Sequence, residues 1–136
     1  MVRVGIPRVS DLGSRGERED TAGSALRERF AGIGWTVERE EIVLDEKGVI
    51  ADRLWQWADV AGLQLILTTG GTGFADRDVT PEATLEVLDK QTPGIPEAMR
   101  AAGLRETPMA ILSRAVAGRR GRTLILNLPG SRIGGC

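Results

Sequence analysis

The carboxylates of Asp11, Asp20, Asp45, Asp76 and Asp78 and the glycines Gly70, Gly71 and Gly73 are the residues of this chain whose types could do chemistry together. Glycine lets main-chain N–H groups come close to a phosphate, whereas a carboxylate beside the same phosphate repels it unless a divalent cation stands between them. Mg2+ takes one or two carboxylates and completes its shell with phosphate oxygens and water, so the combination points to nucleotide chemistry more than to simple anion capture. Other routes are closed. These 136 residues contain no histidine, and the one cysteine is Cys136. Cys/His zinc sites, Ser-His-Asp triads and a histidine general base are therefore excluded.

The glycine run Gly-Gly-Thr-Gly-Phe-Ala-Asp at 70–76 matches neither standard phosphate fingerprint. It lacks the lysine of the P-loop and the third glycine of the dinucleotide motif. Taken alone, Gly70–Gly73 is equally a tight structural turn or a ligand loop. Asp45 alone reads more readily as a helix N-cap than as a metal ligand, and Asp78 could stabilise a helix dipole or pair with Arg77. Trp35, Trp55 and Trp57 have spacings that suit core or interface packing better than a stacking platform.

The elements around these residues decide whether they can meet. Val2, Val4 and Ile6 alternate as in a strand and lead into a polar loop, Ser10 to Asp20. A helix is expected over Thr21 to Ile33 with Gly34 as its stop, then a strand over Trp35 to Leu44. Asp45 opens a helical stretch whose Val49, Ile50, Leu54, Trp57 and Ala58 form one apolar stripe, ending near Gly62. Leu63 to Thr69 reads as a strand covered on both faces, the centre of a parallel sheet. Thr80-Pro81-Glu82 makes a helix start with a hydroxyl to cap it, and that helix is expected to run to about Leu88. A short helix over Pro96 to Ala102 and two strands within Ala115 to Leu128 complete the pattern. Alternating strands and helices imply an α/β fold, a mostly parallel sheet between helices, with ligands at the carboxyl ends of the strands. Three loops then converge on one edge: Ser10 to Asp20, Asp45, and Gly70 to Asp78.

Composition agrees with one soluble globular domain spanning 1–136. Side chains are 41% hydrophobic and 27% charged, with no repeat, linker or apolar run of the roughly 20 residues that spans a bilayer. The expected location is cytoplasmic, with no membrane partner. Eighteen basic and nineteen acidic residues give a net charge of −1, which argues against a nucleic-acid partner. No acid follows Glu106, and Arg114, Arg119, Arg120, Arg122 and Arg132 form a basic tail that is either a solvated face or a phosphate contact.

The blocks Leu67-Thr68-Thr69-Gly70-Gly71-Thr72-Gly73 and Arg77-Asp78-Val79-Thr80-Pro81-Glu82-Ala83 closely resemble the signature of the molybdopterin-binding family. That family comprises molybdopterin adenylyltransferases, MoaB-like proteins and the gephyrin G domain. Three more blocks agree in order: Val9-Ser10-Asp11 with Gly16 and Asp20, Ala110 to Arg114, and Asn127-Leu128-Pro129-Gly130-Ser131. The resemblance implies a three-layer α/β sandwich forming homotrimers, or hexamers in some members. It also implies a Mg2+- and ATP-dependent transfer of AMP to the terminal phosphate of molybdopterin, with release of pyrophosphate and a separate enzyme for metal insertion.

Carried over by position, Asp45 and Asp78 match the two acidic catalytic positions, assigned to Mg2+ and to orienting the triphosphate. Gly70, Gly71, Thr72 and Gly73, with Glu82, match the nucleotide loop. Ser10, Asp11, Ser113, Pro129, Gly130 and Ser131 match the pterin side, and Arg114 is the candidate phosphate contact. Two departures stand out: relatives continue into a further helix after the Leu-Pro-Gly-Ser block, and Ala22 stands where many carry serine. The alternative within the same resemblance is a noncatalytic MoaB-like molybdopterin-binding or scaffold protein.

Overall fold

A computed structural model describes residues 2–10 and 26–128 of the chain. Among these, the strands are β1 (Arg3–Ser10), β2 (Thr36–Leu44), β3 (Leu65–Thr69), β4 (Lys90–Gln91), β5 (Ala117–Arg120) and β6 (Thr123–Leu128). The helices are α1, described over 26–32, α2 (Lys47–Trp55), α3 (Thr80–Val87) and α4 (Gly94–Gly103). The strands form one sheet in the order β2-β1-β3-β6-β5-β4. The first four in that order are parallel, and β5 and β4 extend the sheet antiparallel.

Strand β3 lies between β1 and β6, and all five of its residues are buried, as a run of Leu, Ile and Thr without charge requires. Successive side chains of a strand point to opposite faces, so the sheet builds two cores. On one face Ile66 and Ile125 pack with Ile50, Leu54 and Trp57 of the α2 region and Ala83 and Val87 of α3. On the other face Val4, Ile6, Leu65 and Leu67 pack with Leu26 and Phe30 of α1, and Phe30 stacks on Trp35 at 5.5 Å. The expected helices on both faces are present.

The apolar stripe after Asp45 folds as α2 and continues in a wider π turn, Gln56–Val60, that carries Trp57 into the core at 1% exposure. Trp55, on the opposite side, remains exposed. Edge strand β2 is blunted by charge: Glu38 binds Arg3 at 2.5 Å, Glu40 pairs with Arg8 and Arg27, and Glu41 pairs with Arg53. Among the described residues no helix is long and apolar enough to cross a membrane.

Candidate active site

Parallel pairing sets the place of the site. Ser10 of β1 aligns with Leu44 of β2, Arg8 of β1 with Thr69 of β3, and Thr69 with Leu128 of β6. Four strands therefore end at one edge of the sheet. Asp45 follows the second strand directly and Gly70 follows the third, so both come from that edge. Asp11, Pro129, Gly130 and Ser131 lie outside the described residues, as does the side chain of Ser10.

The glycine loop has a conformation that only glycine adopts easily. Gly70 and Gly71 have φ of 90° and 72°. A Cβ on Gly70 would lie 2.4 Å from the Val9 carbonyl oxygen, and one on Gly71 would lie 2.2 Å from Thr80 Oγ1. The chain thus turns hard against the end of β1 and the start of α3.

Each carbonyl of this loop is tied into the protein. The Gly70 carbonyl accepts from Thr80 Oγ1 at 3.0 Å, and the Gly71 carbonyl from the Thr80 amide at 3.1 Å. The Thr72 carbonyl accepts from the Arg114 amide at 2.9 Å, and the Gly73 carbonyl from Arg114 Nε at 2.7 Å. In a trans peptide the C=O of one residue and the N–H of the next point in opposite directions. The amides of Gly71, Thr72, Gly73 and Phe74 are therefore turned away from Thr80 and Arg114, and they find no acceptor among the described residues. Successive N–H groups presented in this way form a concavity for an anion.

Charge is distributed around the loop in a definite order. Arg114 also donates to the Asp78 carbonyl at 2.6 Å and to Glu82 Oε2 at 2.5 Å, so one guanidinium joins the loop, its exit and the first turn of α3. The Arg114 guanidinium holds the Glu82 carboxyl below the usual carboxylate range, chiefly through this hydrogen bond. Lys47 at the start of α2 binds Glu86 at 2.8 Å, and its ammonium is held above the usual lysine range by that bond. Asp78 Oδ2 accepts from the Ala75 amide at 2.9 Å, and a Cβ on Gly73 would come within 2.9 Å of the same oxygen. Asp45 is half-buried and has no ion-pair partner among the described residues.

Residues 5–134 match the family described as "Probable molybdopterin binding domain". The chain belongs to this molybdopterin-binding family. It is 44% identical over 131 residues to the molybdopterin adenylyltransferase of Escherichia coli K12, covering 95% of this chain and 67% of that protein. It is 43% identical over 134 residues to the Drosophila melanogaster molybdenum cofactor synthesis protein cinnamon, of which it spans 22%. The crystal structure of the molybdopterin biosynthesis enzyme MoaB from Thermus thermophilus superposes with a TM-score of 0.89 at 61% identity, covering 99% of this chain and 85% of that one. The Mog protein of Mycobacterium ulcerans gives 0.90 at 36% identity, covering 99% and 88%.

Within this family fold, the residues singled out from the sequence divide clearly. Gly70 to Gly73, Asp78, Glu82 and Arg114 come together in one bonded cluster. Asp45 stands on the same sheet edge, two strands away from β3, which is roughly 10 Å of sheet. Its reading as a helix cap is corrected: the N-cap of α2 is Glu46, and no side chain caps it. Ser113 is half-buried beside Arg114, with its carbonyl accepting from Arg100 at 3.1 Å. The donors of Arg114 named above all go to the loop and to Glu82.

Thr80 is a second correction. Its hydroxyl does not cap α3, whose N-cap Val79 has no side-chain bond, but holds the Gly70 carbonyl instead. Sequence reasoning gave no role to Thr84, nor to Asn127 beyond its place in the Asn127–Ser131 block, and both connect to Thr80 through buried hydrogen bonds. Asn127 is a lone amide at an otherwise apolar strand position, between Ile125 and the Leu-Pro-Gly block. That polar interruption is the signal that could have found it.

Proposed function

We propose that this chain is a molybdopterin adenylyltransferase of molybdenum cofactor biosynthesis. The observation that carries this reading is the loop whose carbonyls are all tied inward and whose amides of residues 71–74 are left for an anion, beside Asp78. ATP and molybdopterin are its substrates. An oxygen of the terminal phosphate of molybdopterin attacks the α-phosphorus of ATP; that P–O bond forms while the α–β P–O bond breaks, and pyrophosphate leaves. The attacking phosphate is already an anion, so a chain without histidine lacks nothing the reaction needs. The protein's task is to hold two mutually repelling anions in line.

The outward amides receive phosphate oxygens, and Glu82 keeps Arg114 engaged so that the loop holds its shape. Ser10, Asp11, Ser113 and the Pro129-Gly130-Ser131 segment are assigned to the pterin side. Among the described residues no three Asp, Glu, His or Cys side chains gather into a metal cage. The two carboxylates Asp78 and Asp45 suit Mg2+ arriving with the triphosphate, which they would hold and which would neutralise phosphate charge. The working assembly is a homotrimer, or a hexamer built from trimers. Exposed Met109 and Ile111 beside the Ser113–Arg114 corner support a subunit contact there. A separate enzyme then inserts the metal, and the cytoplasm is the expected compartment.

The test is direct. Incubated with ATP, Mg2+ and molybdopterin, the protein is expected to form adenylylated molybdopterin and pyrophosphate. Demonstrated binding of both substrates without product would make it a binding protein instead.

A further inference from the structure

Behind the glycine loop runs a line of buried polar groups that the reaction itself does not use. Asn127, 1% exposed on β6, accepts from the Val116 amide through Oδ1 at 3.1 Å and donates through Nδ2 to Thr68 Oγ1 and Thr84 Oγ1, each at 3.0 Å. Thr84 donates to the Thr80 carbonyl at 2.8 Å, and Thr80 donates to the Gly70 carbonyl at 3.0 Å. Thr68, Thr80 and Thr84 are all fully buried.

The directions of these bonds are forced. An amide nitrogen only donates, so Thr84 Oγ1 must accept from Asn127 and spend its single proton on the Thr80 carbonyl. A carbonyl only accepts, so the Thr80 proton is committed to Gly70. Neither the Thr80 nor the Thr84 hydroxyl can turn without leaving a buried carbonyl unpaired, which costs more than the bond itself contributes. A threonine at a helix start ordinarily caps the helix; this one has given up that role.

The geometry points to Thr80 as the positioning residue of the phosphate loop, its hydroxyl locking the Gly70–Gly71 peptide so that the Gly71 amide faces the nucleotide's phosphates. The Thr84–Asn127 pair holds Thr80 in place from behind, and Arg114 does the corresponding work at the Gly73 end. Thr80 touches no substrate; it acts through the backbone of the loop. This inference rests on the reading of that loop as the nucleotide's phosphate site.

Isothermal titration with a nonhydrolysable ATP analogue and Mg2+, and separately with molybdopterin, tests it on the wild type, Thr80→Val and Thr80→Ser. Valine keeps the shape and removes the proton donor, so nucleotide affinity is expected to fall about tenfold, the equivalent of one buried hydrogen bond. Molybdopterin affinity is expected to change less than about twofold, and serine, which keeps the hydroxyl, is expected to restore nucleotide binding to within about threefold of wild type. A folded Thr80→Val protein with wild-type nucleotide affinity, or a serine variant no better than valine, overturns the inference.

Circular dichroism establishes folding in each case. If Thr80→Val does not fold, Arg114→Lys carries the test at the other end of the loop. It keeps the positive charge and loses the guanidinium fork over Gly73 and Asp78, so a fall of similar size supports positioning and unchanged affinity contradicts it. A wild-type protein that binds molybdopterin but no nucleotide overturns the proposed function instead.

Discussion

Asp78 and Asp45 differ in how the fold holds them, and their variants should differ accordingly. Asp78 has one carboxylate oxygen engaged by the Ala75 amide, while Asp45 has no ion-pair partner among the described residues. Asparagine at 78 can accept the same bond through its amide oxygen, so the loop survives and only the charge is lost. Asp78→Asn and Asp45→Asn are each expected to lower kcat for adenylyl transfer on the order of a hundredfold, the size of a lost electrostatic contact in the transition state. Thermal midpoints should stay close to wild type, and steady-state assays beside melting curves check both halves. Asn127 behaves oppositely. Replacing it with leucine removes the acceptor of the Val116 amide and the donor to two buried hydroxyls, so Asn127→Leu should cost about 1–3 kcal/mol in urea unfolding.

At the scale of elements, the first turn of α3 is fastened to the loop by the Glu82–Arg114 pair. The folded Glu82 carboxyl lies below its ordinary range because the Arg114 guanidinium bonds its charged form. A group whose folded value is lowered contributes stability that is complete above its unfolded value and disappears as the pH falls through the folded one. The pair is half-exposed, so the contribution is small. Wild type should melt higher than Glu82→Gln at pH 7, and the difference should close only below the ordinary glutamate range, about pH 4.3. Melting curves from pH 7 downward measure it, and a gap that does not narrow as the pH falls below the ordinary glutamate range would contradict an origin in the Glu82–Arg114 bond.

The elements themselves were largely legible because their signals are local. The continuous apolar run of β3, the stripe of α2 and the Thr-Pro-Glu start of α3 each carry their own period or stop residue. The convergence of Asp45 and the glycine loop on one edge followed from parallel strands alone. What periodicity could not reveal was long-range bonding. Nothing local distinguishes a threonine that caps a helix from one that bonds a carbonyl ten residues earlier, and Arg114 reaches 41 residues back to Gly73. The site's anchoring therefore stayed hidden, while its chemical groups did not.

On the scale of the whole molecule, the parallel half of the sheet carries the candidate chemistry, and apolar side chains stand exposed both at the glycine loop and on the segment between α4 and β5. Met109 and Ile111 are 55% and 64% exposed, and Phe74 at the tip of the loop is 76% exposed. Sedimentation equilibrium at micromolar concentration should give a trimer or hexamer mass. A monomer that nevertheless turns over would separate assembly from catalysis. The core is expected to be less forgiving than the surface: Trp57→Ala should cost about 3–5 kcal/mol in chemical unfolding, as large buried aromatics do.

Anomalous diffraction from crystals grown with Mn2+ and a nonhydrolysable ATP analogue tests most directly that the glycine loop receives the triphosphate. Phosphate oxygens are expected within hydrogen-bonding distance of the amides of Gly71 to Phe74, with the manganese peak between the triphosphate and the carboxylates of Asp78 and Asp45. A triphosphate bound away from that loop, or a metal touching neither carboxylate, would contradict the claim.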